Sequence, residues 1–87
     1  FVQENVPERL DIKQTLFARL DALAAPEVIL ASSSSGLPIS AIQKVCHRPD
    51  RVIIGHPVNP PHVLPLIEVL GGSAASCEVI ERSMAFY

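Results

Sequence analysis

At 87 residues and a formal charge of −2, the chain is long enough for one domain or a piece of one, with only a modest core. Apolar residues make up 48%, aromatics only 5%, and Trp is absent, so that core is built from Val, Ile, Leu and Ala. Lys13, Lys44, Arg48 and Arg51 are scattered, which excludes nucleic acid and anionic membrane as expected partners, since both call for clustered basic surface.

"NVPERLDIKQTLFARLDALAA" carries the clearest helical signal. Pro7 and Glu8 suit a first turn, where no intrahelical N–H is required and a negative charge meets the positive dipole end. Leu10, Leu16, Phe17, Leu20 and Leu23 mark an apolar face, and Pro26 ends the segment. "EVILAS" is a short aliphatic run of the length of a strand buried on both faces, with the loop "SSSSG" at its carboxyl end. "LPISAIQKVCH" reads as a second, shorter helix opened by Pro38 or capped by Ser40. "DRVIIGHPV" is another buried strand, "NPPHV" turns the chain, and "LPLIEVLGG" is the next strand, stopped by Gly71-Gly72. "SAASCEVIERSMAFY" starts a helix with a choice of serine caps and has Val79, Ile80, Met84 and Phe86 at helical spacing. Phe1-Val2 opens the chain as though inside a strand, so the expectation is a fragment of a longer protein.

Strand, helix, strand, helix, strand, turn, strand, helix is the order of an α/β fold with a mainly parallel sheet. The link between the last two strands is too short for a helical crossover, so that pair is expected to be antiparallel. Such a pairing brings His56 and Glu68, twelve residues apart, close together across two strands. A carboxylate bonded to one imidazole nitrogen fixes the tautomer and stabilises the imidazolium formed when the other nitrogen accepts a proton. The competing reading is a His–Glu bond that only locks a hairpin. His56 lies at the carboxyl end of a parallel strand, where open α/β sheets place their ligands, and this favours a general base.

Ser35, at the carboxyl end of the neighbouring strand, faces the same crevice, and its hydroxyl suits holding a substrate hydroxyl or a cofactor amide. Ser32 to Ser34 read as loop hydroxyls. A Ser-His-Glu hydrolase requires a G-x-S-x-G elbow, which "SSSSG" is not. Asn59, between Pro57 and Pro60, sits in a stiffened loop beside His56. His47, His56 and His62 match no metal-ligand spacing, so no metal is expected, and His47 and His62 read as surface or turn residues. Cys46 and Cys77 form no CxxC and read as reduced thiols of a cytoplasmic protein.

"ENVPERLDIKQTLFARLD", "ILASSSSGLPIS", "RVIIGHPVNPP" and "PLIEVLGG" together resemble the NAD-binding domain of the 3-hydroxyacyl-CoA dehydrogenase superfamily, in order and over essentially the whole chain. The resemblance implies a partial Rossmann-like three-layer domain, NAD as cofactor, a small 3-hydroxy substrate and a homodimer in the intact protein. It implies that His56 is the catalytic base and that Glu68 orients it. By the same resemblance Ser35 contacts substrate hydroxyl and nicotinamide, and Asn59 matches the asparagine after the histidine. Glu8 and Lys13 match residues that contact the nicotinamide ribose side. "HPVNPP" and "SSSSG" are closer to the branch that includes L-gulonate 3-dehydrogenase, lambda-crystallin and carnitine dehydrogenase, which oxidises small free 3-hydroxy compounds.

The G-x-G-x-x-G fingerprint and the acidic residue about 20 positions beyond it do not occur in these residues. Residues 1–87 are therefore expected to be the C-terminal half of an NAD-binding Rossmann domain, carrying the dyad without the pyrophosphate cradle. The expected function is NAD-dependent oxidation of a 3-hydroxyl to a 3-keto group, on a free acid or a CoA thioester. A structural or self-associating half-domain is the alternative.

Overall fold

The computed structural model describes residues 1–57, 67–72 and 74–87. In chain order the elements are β1 (Val2–Glu4), α1 (Leu10–Leu23), β2 (Leu30–Ser32), α2 (Ile39–Gln43), β3 (Val52–Pro57), β4 (Ile67–Leu70) and α3 (Cys77–Phe86). The expected alternation is present. So is the α/β fold class, a Rossmann-like arrangement with a mainly parallel sheet. Among the described residues the strands form one sheet in the order β1-β2-β3-β4, parallel except for the antiparallel pair β3–β4.

Alternation along the strands builds three layers. Leu30, Val52 and Ile54 point to the face covered by α1 and α2, where they pack with Phe17, Ile39 and Ile42. Ile29, Ala31 and Ile53 point the other way and pack against Val79 of α3. Because β2 and β3 bury both faces, they read as continuous aliphatic runs. β4 is an edge strand and alternates between half-buried Ile67 and Val69 and exposed Glu68 and Leu70. No helix among the described residues is long and apolar enough to cross a membrane.

The first helix differs from its sequence pattern. It begins at Leu10, with Arg9 at the cap making no capping bond; the Arg9 guanidinium donates to Asp11 at 2.9 Å and the Glu8 carboxylate is engaged with the serine loop. Its buried residues are Lys13, Phe17 and Asp21. Leu23, expected on the apolar face, is 81% exposed. Apolar periodicity counts Lys13 and Asp21 as outward residues. They turn inward because each meets an opposite charge: Lys13 Nζ donates to Glu4 at 2.7 Å, and Arg51 donates to Asp21 at 3.0 Å. A buried charge is tolerated when paired and hydrogen-bonded.

The ends of the other elements have local causes. Ser76 caps α3 by accepting from the Val79 amide at 3.2 Å, one of the serine choices the sequence offered. Pro38 stands at the cap of α2 without a side-chain bond. Gly72, after β4, has φ of +62°, a left-handed conformation that glycine adopts without a Cβ clash.

Cys46 and Cys77 are both free thiols. Burial, with the Asp21 carboxylate nearby, pushes the Cys46 thiol up to about 11. That leaves about one thiolate in ten thousand at pH 7. Exposed Cys77 is therefore expected to be alkylated first by iodoacetamide, and peptide mass spectrometry would show Cys46 largely unmodified until the fold is opened. Equal rates at the two sites would contradict the raised thiol and half-buried position of Cys46.

Candidate active site

The carboxyl ends of β1, β2 and β3 lie side by side and carry polar residues, of which His56 was expected from sequence. β1 ends at Glu4, β2 at Ser32 and β3 carries His56 at its penultimate position. Glu4, Ser32 and His56 share the face covered by α1 and α2, since Glu4 pairs with Ser32 and Ser32 with Ile54, two residues before His56.

Ladder register sets His56 directly opposite Glu68. Residues opposed in this way share a face of the sheet. The expected juxtaposition is therefore present, but the expected bond is not. Among the described residues no hydrogen bond or ion pair joins the two side chains; His56 Nδ1 instead lies 3.2 Å from the Ser33 carbonyl oxygen. A carbonyl can only accept, so Nδ1 carries the hydrogen and donates it. In the neutral ring this leaves Nε2 with its lone pair, as the proton acceptor. Glu68 is exposed on the edge strand, where its carboxylate stays hydrated and avoids the desolvation cost of a buried contact. The Ser33 carbonyl, just beyond the last residue of β2, is available in its place.

The serine loop is held from below by Glu8. Ser34 Oγ donates to Glu8 Oε1 at 2.7 Å, and the amides of Ser35 and Gly36 donate to Oε2 at 3.0 and 3.3 Å. The Ser34 hydroxyl, with those two amides and the Lys13 ammonium, keeps the Glu8 carboxyl below its ordinary value despite some desolvation. Ser34 Oγ also accepts from the Leu37 amide, which ties the loop to the start of α2. Ser35 itself is exposed, and among the described residues nothing lies within 4 Å of where a Cβ on Gly36 would stand. Among the described residues the exposed Ser35 hydroxyl has no hydrogen-bond partner.

Lys13 is 1% exposed and reaches Glu4 Oε2 at 2.7 Å, the Val6 carbonyl at 3.2 Å and Glu8 Oε1 at 3.6 Å. Glu4 also accepts from Ser32 Oγ at 2.6 Å and the Val6 amide at 2.7 Å. Glu4, Ser32 and the Ser33 carbonyl were not singled out from sequence. A lone Glu in a short amino-terminal segment carries no periodic signal, and a main-chain acceptor carries none at all. Asn59 and His62 lie outside the described residues, and His47 is exposed. Among the described residues no cluster of three His, Cys, Asp or Glu side chains is arranged to hold a metal.

An open, mainly parallel α/β sheet with a histidine and a hydroxyl-bearing loop at the strands' carboxyl ends is an arrangement in which α/β domains, dinucleotide-binding ones among them, place their ligands. The model for the 3-hydroxyacyl-CoA dehydrogenase, NAD binding domain, matches residues 1–87, and the chain belongs to that family. It is 46% identical, over all of its 87 residues and 27% of the relative's length, to an L-carnitine dehydrogenase of Streptomyces coelicolor. It is 49% identical, over 99% of this chain and 27% of the relative, to a 3-hydroxyacyl-CoA dehydrogenase of Gibberella moniliformis. It superposes on 3-hydroxybutyryl-CoA dehydrogenase of Escherichia coli K12 with a TM-score of 0.93 and 36% identity, covering 98% of this chain and 18% of that one. Several L-carnitine dehydrogenases at 44–49% identity place it on the carnitine dehydrogenase branch. The chain spans about a quarter of the length of the curated relatives it matches.

Proposed function

We propose that the protein carrying this chain oxidises the 3-hydroxyl of a small free 3-hydroxy acid to a 3-keto group, with NAD as the oxidant and His56 as the base. One observation carries the reading. His56 stands at the carboxyl end of β3 with Nδ1 donated to the Ser33 carbonyl, which leaves Nε2 to take a hydroxyl proton. Nε2 accepts the proton from the substrate, and the ring becomes an imidazolium held by its other nitrogen. Glu68, opposite in the ladder, balances that charge from the edge strand. The exposed Ser35 hydroxyl orients the substrate oxygen or the nicotinamide amide, and Asn59 is assigned a neighbouring role by resemblance.

The residues present fit the nicotinamide end of the cofactor. The loop around Ser35 and Gly36 is open, and Glu8 keeps part of its carboxylate exposed. When bound there, the nicotinamide supplies the hydride acceptor. Lys13 is committed to Glu4 and acts on the cofactor only through Glu8. The pyrophosphate cradle has no counterpart in these residues, so residues 1–87, as the C-terminal half of the Rossmann domain, are proposed to be inactive by themselves. A homodimer goes with this reading on the strength of the resemblance, and a cytoplasmic location on the two reduced thiols.

The substrate class rests on the serine loop and on the L-carnitine dehydrogenases among the relatives. The test is NADH formation by the full-length protein with carnitine, gulonate and 3-hydroxybutyryl-CoA compared at equal concentration. Turnover should be fastest on a free hydroxy acid. A preference for the thioester would overturn the substrate assignment, and no NADH with any of the three would overturn the reaction.

A further inference from the structure

The Glu8 carboxylate makes more contacts to the chain's own loop than a cofactor ligand needs. Its two oxygens take the Ser34 hydroxyl and the amides of Ser35 and Gly36, three consecutive residues of the loop between β2 and α2. The residue just before them, Ser33, is anchored at both ends of its peptide. Its amide donates to the Glu4 carbonyl at 3.0 Å, and its carbonyl accepts from His56 Nδ1 at 3.2 Å. The loop is thus pinned to β1 at Ser33 and gripped by Glu8 over the next three residues, and its first carbonyl dictates which nitrogen of His56 carries the proton.

We propose that Glu8 is a positioning residue for His56 and Ser35: by gripping the serine loop it holds the Ser33 carbonyl where it fixes the His56 tautomer and keeps the Ser35 hydroxyl at the crevice. Lys13 supports the grip from the buried side, 3.6 Å from Glu8 Oε1. A carboxylate has about four acceptor positions. Three are filled by the loop, so one remains for a hydroxyl of a bound cofactor, and the two roles are compatible. Cofactor contact and loop order then share one carboxylate, which couples binding to the orientation of the base. The catalytic meaning of this rests on the function proposed above; the grip itself does not.

Two variants of the full-length protein separate the possibilities. In Glu8→Gln one oxygen is replaced by an N–H₂ group, so in either orientation of the amide some loop donors face another donor. Ser34→Ala leaves the Glu8 side chain in place but removes its bond from the Ser34 hydroxyl, together with that hydroxyl's bond from the Leu37 amide. Three readouts are taken: amide exchange at Ser35 and Gly36 in the cofactor-free protein, the ring nitrogen shifts of His56, and kcat against KM for NAD. Glu8→Gln should raise exchange at these amides by about tenfold or more, the loss expected for a hydrogen bond to a charged group, and Ser34→Ala should raise it by less. Both should blur the Nδ1–H signature of His56 and lower kcat, and Ser34→Ala should do so with KM for NAD unchanged. If Glu8→Gln raises KM for NAD alone, while exchange, ring shifts and kcat stay at wild-type values, Glu8 is a cofactor ligand only and the proposal is overturned. Exchange and ring shifts are read without substrate, so they decide the grip even if no 3-hydroxy compound is oxidised.

Discussion

In the full-length protein, His56→Gln is expected to lower kcat by about 10²- to 10⁴-fold, the usual contribution of a positioned general base. NAD affinity should stay nearly unchanged. Glutamine is close to histidine in size but carries its amide where Nε2 stood rather than Nδ1, so the crevice keeps its bulk while the Ser33 carbonyl loses its donor. What glutamine lacks is a nitrogen lone pair basic enough to take the hydroxyl proton. The loss should therefore fall on the chemical step, read from kcat and from single-turnover NADH formation at saturating NAD. An undiminished kcat would remove His56 from the chemistry.

Glu68→Gln sharpens the same prediction. Had the carboxylate been bonded to the ring, its loss would approach that of the base itself. On an exposed edge strand, with Nδ1 already donated elsewhere, its charge is worth at most about 1 kcal/mol, or roughly fivefold in kcat. A loss as large as that of His56→Gln would show that Glu68 closes onto the ring in the working enzyme.

The largest effect on stability is expected at Arg51. This residue is 2% exposed and donates to Asp21 Oδ1 at 3.0 Å and to the main-chain carbonyls of Asp21, Ala25 and Val28. It ties the end of α1, and the segment leading into β2, to the start of β3. Arg51→Met keeps much of the volume but leaves a buried carboxylate and three carbonyls short of a donor. The expected destabilisation is about 3–5 kcal/mol, measured by urea unfolding. Adding Asp21→Leu should recover only part of it, because three of the four acceptors belong to the main chain.

The pH dependence has a definite sign. Burial pushes the Asp21 carboxyl up, but the Arg51 guanidinium with the His47 and Arg48 amides outweighs this and holds it below its ordinary value. With the folded value below the unfolded one, near about 3.9, the pair contributes fully above that value. The contribution is lost as pH falls through the folded value. The gap between wild type and Arg51→Met should accordingly be widest near neutrality and narrow in acid. A gap under about 0.5 kcal/mol at neutral pH would mean that Arg51 behaves as a surface residue.

Much of the fold was legible in the sequence. Val52 to Ile54 and Ile29 to Ala31 are aliphatic runs of strand length, Pro and Gly punctuate the elements, and the short link before β4 forces an antiparallel return. Those local signals are enough to set element order and the opposition of His56 to Glu68. The start of α1 at Leu10, where Pro7 had suggested an earlier first turn, was not legible. Glu8 contributes more through three loop donors 26 to 28 residues away than it does in the helix's first turn, and sequence spacing holds no record of that contact.

By itself the sequence determined the alternation of strands and helices, the parallel sheet with its reversed last strand, and the placing of a histidine at a strand's carboxyl end. Each follows from nearest-neighbour chemistry: side-chain period, chain reversal and turn residues. Only the tertiary structure decided that Lys13, Asp21 and Arg51 are interior, that Glu68 is exposed on the edge strand opposite His56, and that the Ser33 carbonyl lies within hydrogen-bond reach of the His56 ring. Those outcomes turn on the balance between desolvating a charged group and supplying it with partners. The partners come from distant parts of the chain, and only folding brings them within reach.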